Sequence, residues 1–205
     1  MEHIVYVVDD DDAVRQSVIG LLESADLNAI GFSSAETFLQ HRFEDLPSCV
    51  ILDMQMPAIS GFDVADALKD SGREIPIIFL TGHGTIPMSV RAIKGGAYEF
   101  LTKPVESNAL IDAIESALQL AENNAERNKE RYALKQRHLS LTPREHEVLT
   151  LAISGMLNKQ IAAELGVSEI TVKVHRRRVM EKMQVRSVAE LVRAVERLTK
   201  SQPAE

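Results

Sequence analysis

Five positions in this 205-residue chain combine residue types that can do chemistry together: Asp9, Asp10, Asp53, Thr81 and Lys103. Asp9 and Asp10 directly follow the apolar run Ile4–Val8, and Asp53 closes the run Cys49–Leu52. Three carboxylates brought close together repel one another unless a cation or protons intervene. Hard oxygen donors of this kind suit Mg²⁺, with Mn²⁺ as a substitute; Mg²⁺ keeps several waters and is held by one or two carboxylates. Thr81 ends another apolar run with a hydroxyl, and Lys103 follows a further one with an ammonium. Such a pair facing a metal-bound carboxylate is a receptor for a phosphoryl group. The metal and Lys103 neutralise its oxygens while an Asp53 oxygen attacks in line. Asp11 and Asp12 have a different role, favouring the start of the next helix through its dipole. Lys103-Pro104 ends its run abruptly and suits a cis bond.

These residues need a scaffold that brings strand ends to one edge. Ile4–Val8, Cys49–Leu52 and Ile75–Leu80 are short, continuous and β-branched, with weaker strands at Leu27–Gly31 and Ala97–Leu101. Helical periods lie between them, at Val14, Val18, Leu21 and Leu22, at Val64, Ala65 and Leu68, at Val90 and Ile93, and at Leu110, Ile111, Ile114 and Leu118. The alternation predicts a doubly wound parallel sheet of five βα units, with helices on both faces. In the strand order 2-1-3-4-5 the first and third strands are neighbours, which joins Asp9, Asp10 and Asp53. Ligands in such sheets lie beyond the carboxyl ends of the strands.

The charge is uneven. Residues 1–121 hold 7 Lys/Arg against 19 Asp/Glu, a balance of −12, whereas residues 122–138 come to +2 and residues 139–205 to +3. Only the rear is expected to meet a polyanion. The domains expected are 1–121, a helical linker 122–138, and 139–205. The linker has neither Pro nor Gly and continues the preceding helix. Its weak seam through Ile114, Leu118, Ala121, Ala125, Asn128 and Tyr132 fits either an exposed helix or a coiled-coil contact.

From Leu141 the pattern is all-helical. Thr142, Pro143 and Glu145 form a capping box, Asn158–Gly166 is a short helix closed by glycine, and Ser168 caps Glu169–Met183. Short helix, glycine turn and basic helix make a helix-turn-helix. In the basic helix Val172, Val179 and Met183 share the inward side. Lys173 and Arg177 share another face with Val174 beside them, suited to guanine edges and a thymine methyl in a major groove. Arg176 and Arg178 flank that face as phosphate contacts, and Lys159 on the preceding helix is a further DNA contact.

Asp9-Asp10, Asp53 followed by Met56-Pro57 and Gly61, Thr81 and Lys103-Pro104 resemble, in this order, the receiver domain of bacterial two-component response regulators across residues 3–121. LTPREHEVLTLAISGMLNKQIAAELGVSEITVKVHRRRVMEKMQVRS resembles the LuxR/NarL-type four-helix DNA-binding domain, and TGHG with IPM after the fourth strand narrows the match to the FixJ subgroup. The resemblance implies a flavodoxin-like (βα)5 receiver joined by a long helix to an all-α helix-turn-helix domain. It further implies that a sensor histidine kinase phosphorylates Asp53, and that Asp9, Asp10, Asp53 and the Gln55 carbonyl bind Mg²⁺. Thr81 and Lys103 would contact the phosphoryl oxygens. Phe100 takes the aromatic switch position, where many receivers carry Tyr. Lys173, Val174 and Arg177 occupy the base-reading positions, and Leu191, Val192 and Val195 would supply an effector dimer contact. Gly82, Gly84, Gly95 and Gly96 bracket the helix expected to move.

The expected function is transcriptional regulation, activation in particular, by a homodimer formed on phosphorylation that binds promoter DNA, with RNA polymerase as a further partner. Self-phosphorylation and slow autodephosphorylation are the only catalysis expected, with Gln55 and His83 flanking the hydrolytic water. A phosphohydrolase would need an acid where Gln55 stands. A small-molecule sensor would need an enclosed pocket instead of carboxylates. The N-terminus has no basic region or cleavage site of a signal peptide, and the single Cys49 reads as a buried core thiol. The expected compartment is the bacterial cytoplasm.

Overall fold

A computed structural model describes residues 2–82 and 84–199; His83 lies outside them. The chain divides into two compact units, residues 1–126 and 127–205. The first holds β1 (Ile4–Val8), α1 (Asp12–Ser24), β2 (Ala29–Phe32), α2 (Ala35–Leu39), β3 (Ser48–Leu52), α3 (Gly61–Asp70), β4 (Ile77–Thr81), α4 (Ile86–Gly95) and β5 (Glu99–Thr102). The helix α5 (Ser107–Leu139) runs through the boundary, and α6 (Pro143–Ile153), α7 (Asn158–Leu165), α8 (Glu169–Met183) and α9 (Val188–Thr199) follow.

The sheet is parallel, in the order β2-β1-β3-β4-β5. Every residue of the three central strands is buried, as their unbroken apolar runs require. Alternate side chains serve two cores. Tyr6, Val8, Val50, Leu52 and Phe79 meet Phe38, Val64, Leu68 and Ala92 on one face. Val5, Val7, Cys49, Ile51, Ile78 and Leu80 meet Val18, Leu22, Leu110, Ile114 and Leu118 on the other. The Cys49 thiol is fully buried, and burial pushes its pKa up to about 12.

The register positions the chemistry. Val8 pairs with Leu52, so the next residues, Asp9 and Asp53, leave the sheet side by side; the Asp53 amide donates to the Val8 carbonyl at 2.9 Å. Thr81 pairs with Thr102, and the Lys103 amide donates to the Thr81 carbonyl at 2.8 Å. The Lys103-Pro104 bond is cis.

One element differs from the sequence reading. The periodic residues Val90 and Ile93 of α4 are 46% and 49% exposed, and Ile86 is 82% exposed, whereas Ala92 is buried. The small Ala92, with Met88 one turn before it, faces the core and leaves the larger apolar side chains on the outer side. The seam along α5 is partly buried and partly exposed. Ile114 and Leu118 belong to the core of the first unit and Ala121 is buried, while Tyr132 is 67% exposed.

In the second unit, Thr142 and Glu145 form the expected capping box at α6. Leu134 at the end of α5 packs on Leu141, Leu149, Val179, Met183, Leu191 and Ala194. The expected outward role of Leu191 is therefore corrected. It is fully buried, and Val195, one turn on, packs on the same cluster, because an i, i+4 pair shares one face of α9. Among the described residues, no helix is long and apolar enough to cross a membrane.

Candidate functional site

One oxygen from each of Asp9, Asp10 and Asp53 lies within 4.8 Å of the other two. Asp9 and Asp53 are buried and Asp10 is exposed. The Lys103 ammonium donates to Asp9 Oδ2 at 2.6 Å and to Asp53 Oδ1 at 3.3 Å. Backbone amides take up the remaining oxygens: Gln55 N–H donates to Asp53 Oδ2 at 3.1 Å and Asp11 N–H to Asp9 Oδ1 at 2.9 Å. Three carboxylates and one ammonium leave two negative charges, which one divalent cation balances. The all-oxygen donor set fits Mg²⁺ or Mn²⁺.

Burial raises the Asp53 pKa above its ordinary value; the Lys103 charge opposes this and the Asp9 charge adds to it. The Lys103 pKa is raised as well. Burial is the largest single influence and works downward, but the Asp9 and Asp53 contacts together outweigh it. Thr81 is fully buried at the end of β4, and the Gln55 side chain is exposed.

Asp11 caps α1 by accepting from the Ala13 and Val14 amides, as its place in the acidic run suggested. Arg15 was not expected at the site. Its guanidinium donates to the Asp9 carbonyl at 2.7 Å and pairs with Asp12, bracing the turn that carries Asp9 and Asp10. Its i, i+3 spacing from Asp12 is the signal that reading the carboxylates alone passes over. Gly61 sits against the acceptor strand. A Cβ there would lie 2.5 Å from the Asp53 carbonyl oxygen and 3.0 Å from Met54 Cα. Phe100 is half-buried and packs on the α4-side core. Its ring leaves no room at Gly84, where a Cβ would lie 3.1 Å from Phe100 Cε1 and 2.6 Å from Thr102 Cγ2.

In the second unit, Gly166 closes α7 with φ +65°, and the Ser168 hydroxyl accepts from the Thr171 amide to start α8. Val172, Val179 and Met183 are buried, while Lys173, Val174, Arg177, Arg178 and Lys159 are exposed. Arg176 is part-buried, and its Nη1 donates to Asn158 Oδ1 at 2.6 Å, tying α8 to the start of α7. Arg177 Nε donates to Glu181 Oε1 at 2.7 Å across an exposed turn.

The response regulator receiver domain profile matches residues 5–115, and that of the bacterial regulatory proteins of the luxR family matches residues 139–195. The chain is a response regulator. It joins a receiver to a LuxR-type DNA-binding domain, the pairing of a regulator that controls transcription through a phospho-aspartate. Response regulator protein TmoT of Ectopseudomonas mendocina is 48% identical over 98% of this chain and 91% of its own length. Response regulator protein TodT of Pseudomonas putida is 48% identical over 97% of this chain and 87% of its own. Among solved structures, the response regulator StyR is 49% identical with a TM-score of 0.84, covering 96% of this chain and 99% of that one. Full-length FixJ from B. japonicum is 38% identical with a TM-score of 0.56, covering 97% and 98%.

Proposed function

We propose that a sensor histidine kinase phosphorylates this regulator on Asp53, and that the acyl phosphate promotes dimerisation and binding to promoter DNA, activating transcription. The observation that carries the reading is the Lys103 ammonium bridging Asp9 and Asp53 at the edge where Asp10 also stands. Asp9, Asp10, Asp53 and the Gln55 carbonyl hold the divalent cation. Bound Mg²⁺ supplies charge neutralisation at the transferring phosphoryl group. An Asp53 oxygen forms the new bond to phosphorus as the bond to the donor's leaving atom breaks. Lys103 leaves Asp53 to pair with a phosphoryl oxygen while keeping Asp9, and the Thr81 hydroxyl donates to another.

Thr81 moving toward the phosphoryl group draws Phe100 inward and shifts α4. The outer side of α4, with Ile86, Val90 and Ile93, is then the dimer surface. Lys173, Val174 and Arg177 read base edges, while Arg178 and Lys159 meet phosphates. Arg176, bonded to Asn158 through one Nη, meets the same backbone through its remaining donors. RNA polymerase is the partner that activation requires. The chemistry stops at self-phosphorylation and slow loss of the phosphoryl group, because no acid stands at Gln55 to drive hydrolysis. The bacterial cytoplasm is the compartment in which kinase and promoter meet the regulator. Linker residues 122–138 join receiver 1–121 to DNA-binding domain 139–205.

Incubating the full chain with acetyl phosphate and Mg²⁺ and trapping the product with borohydride tests the acceptor. Reduction confined to Asp53, absent without Mg²⁺ and in Asp53→Asn, is the expected result. Label at another residue, or none, refutes it.

A further inference from the structure

The recognition helix carries an apolar side chain that its charge pattern conceals. Ile170, the second residue of α8, is 74% exposed, and Val174, one turn later, is 45% exposed. At about 100° per residue, Ile170 lies about 160° round the helix from the mean direction of the buried Val172, Val179 and Met183. Val174 and Arg177 point within about 40° of Ile170, and Lys173 within about 60°. The outermost line of α8 thus reads Ile170, Val174, Arg177 and, a turn further on, Glu181 paired with Arg177, with Lys173 and Arg178 on its flanks.

An exposed β-branched residue gains nothing from water and slightly weakens its helix. Ile170 belongs to neither apolar cluster of its own unit, so no packing among the described residues accounts for it. The cations around it favour a polyanion over an apolar protein surface as the occupant. In a helix-turn-helix the first turns of the second helix reach base edges. The apolar group that a major groove offers there is the 5-methyl of thymine.

We infer that Ile170 is a specificity-determining residue that packs on a thymine 5-methyl group in the operator, adjacent to the base pair that Val174 meets. The inference rests on α8 being the DNA-reading helix. With Ile170 in place, a T·A pair at that position is preferred over its competitors without any hydrogen bond from the protein. Burying one methyl corresponds to about a fourfold change in affinity, equivalent to about 0.8 kcal/mol.

The test uses the full chain treated with beryllofluoride. A binding duplex is first enriched from randomised DNA with the wild type, and each thymine is then replaced singly by uracil, which lacks only the methyl. The wild type is expected to lose about fourfold at one particular thymine. Ile170→Ala should lose a similar factor on the all-thymine duplex and be indifferent to uracil at that position. Val174→Ala should keep the wild-type response there and lose its response at a neighbouring thymine. Uracil tolerated at every position, or Ile170→Ala still sensing the same methyl, overturns the inference. Lys173→Ala and Arg177→Ala keep it separable from the reading beneath it. If both bind the enriched duplex as the wild type does, α8 is not the reading helix and both ideas fall. If they weaken binding while no methyl is sensed through Ile170, only the inference falls. An unchanged melting profile of Ile170→Ala shows that the loss is not unfolding.

Discussion

Asp53→Asn is expected to stabilise the metal-free protein while abolishing its switch. The substitution keeps the size of the side chain and removes its charge. In the structure, Asp53 is buried with an Asp9 oxygen within 4.8 Å and the Lys103 ammonium at 3.3 Å. At an effective dielectric of about 20, repulsion from Asp9 is about 3.5 kcal/mol and attraction to Lys103 about 5 kcal/mol. The Lys103 charge favours ionised Asp53. Burial works the other way and prevails, because the Asp53 pKa lies above its ordinary 3.8. An acid raised in this way contributes stability that is complete below pH 3.8 and lost as pH rises through the raised value. At neutral pH the ionised group therefore opposes folding. Removing its charge should raise the temperature of the receiver transition. Scanning calorimetry of the full chain without Mg²⁺ measures this, the receiver transition being the one that responds to the metal. The advantage should vanish below pH 4, where the wild-type carboxyl is protonated. Mg²⁺ at ten times its Kd should lift the wild type by about 1.4 kcal/mol and narrow the difference. A lower melting temperature for Asp53→Asn without metal, or the same gap at all pH values, would refute the reasoning.

Gly61→Ala should destabilise the receiver by about 1–3 kcal/mol in a urea titration, because the new Cβ meets the Asp53 carbonyl and Met54 Cα, which are backbone and cannot yield. Ala58, at φ +67° in the loop after Asp53, should gain about 1 kcal/mol on replacement by Gly, read in the same titration. Lys182→Met should cost the DNA-binding domain about 1–3 kcal/mol, since Lys182, itself part-exposed, is the ammonium on the buried Glu145 at 2.6 Å. Burial pushes the Glu145 pKa up, but the Lys182 and Thr142 bonds outweigh it and hold the pKa low. Its stabilisation should be complete above the ordinary 4.5 and lost as pH falls further, a dependence that Lys182→Met flattens in pH-resolved melts. Arg178→Ala should weaken binding to all DNA sequences alike and reduce the salt slope by about 1, read by anisotropy at several salt concentrations.

The pocket was legible because its residues stand at strand ends, where sheet order alone decides which ends adjoin. Asp9, Asp10 and Asp53 needed only β1 beside β3, and Thr81 and Lys103 only β4 beside β5. The helix-turn-helix was legible through its punctuation, Thr142, Gly166 and Ser168, each of which caps as its type requires. Strand limits were less so. The fourth strand starts at Ile77 and not Ile75, because Pro76 has no N–H for the ladder and contributes only its carbonyl. The helix α2 has five residues, too few for a period to register. Contacts such as Arg15 on the Asp9 carbonyl or Arg176 on Asn158 depend on which of several partners a long side chain chooses, and spacing does not decide that. Ile170 is not legible because a single apolar residue on an exposed, charged face leaves no periodic signal.

The central claim is that the state of Asp53 sets the DNA affinity of a helix some 120 residues away. Affinity of the full chain for its enriched duplex, with and without beryllofluoride and Mg²⁺, for the wild type and Asp53→Asn, tests it most directly. The account predicts about a tenfold or greater tightening for the wild type and none for Asp53→Asn. Equal affinity of the wild type in both states, or the same tightening in Asp53→Asn, would contradict it.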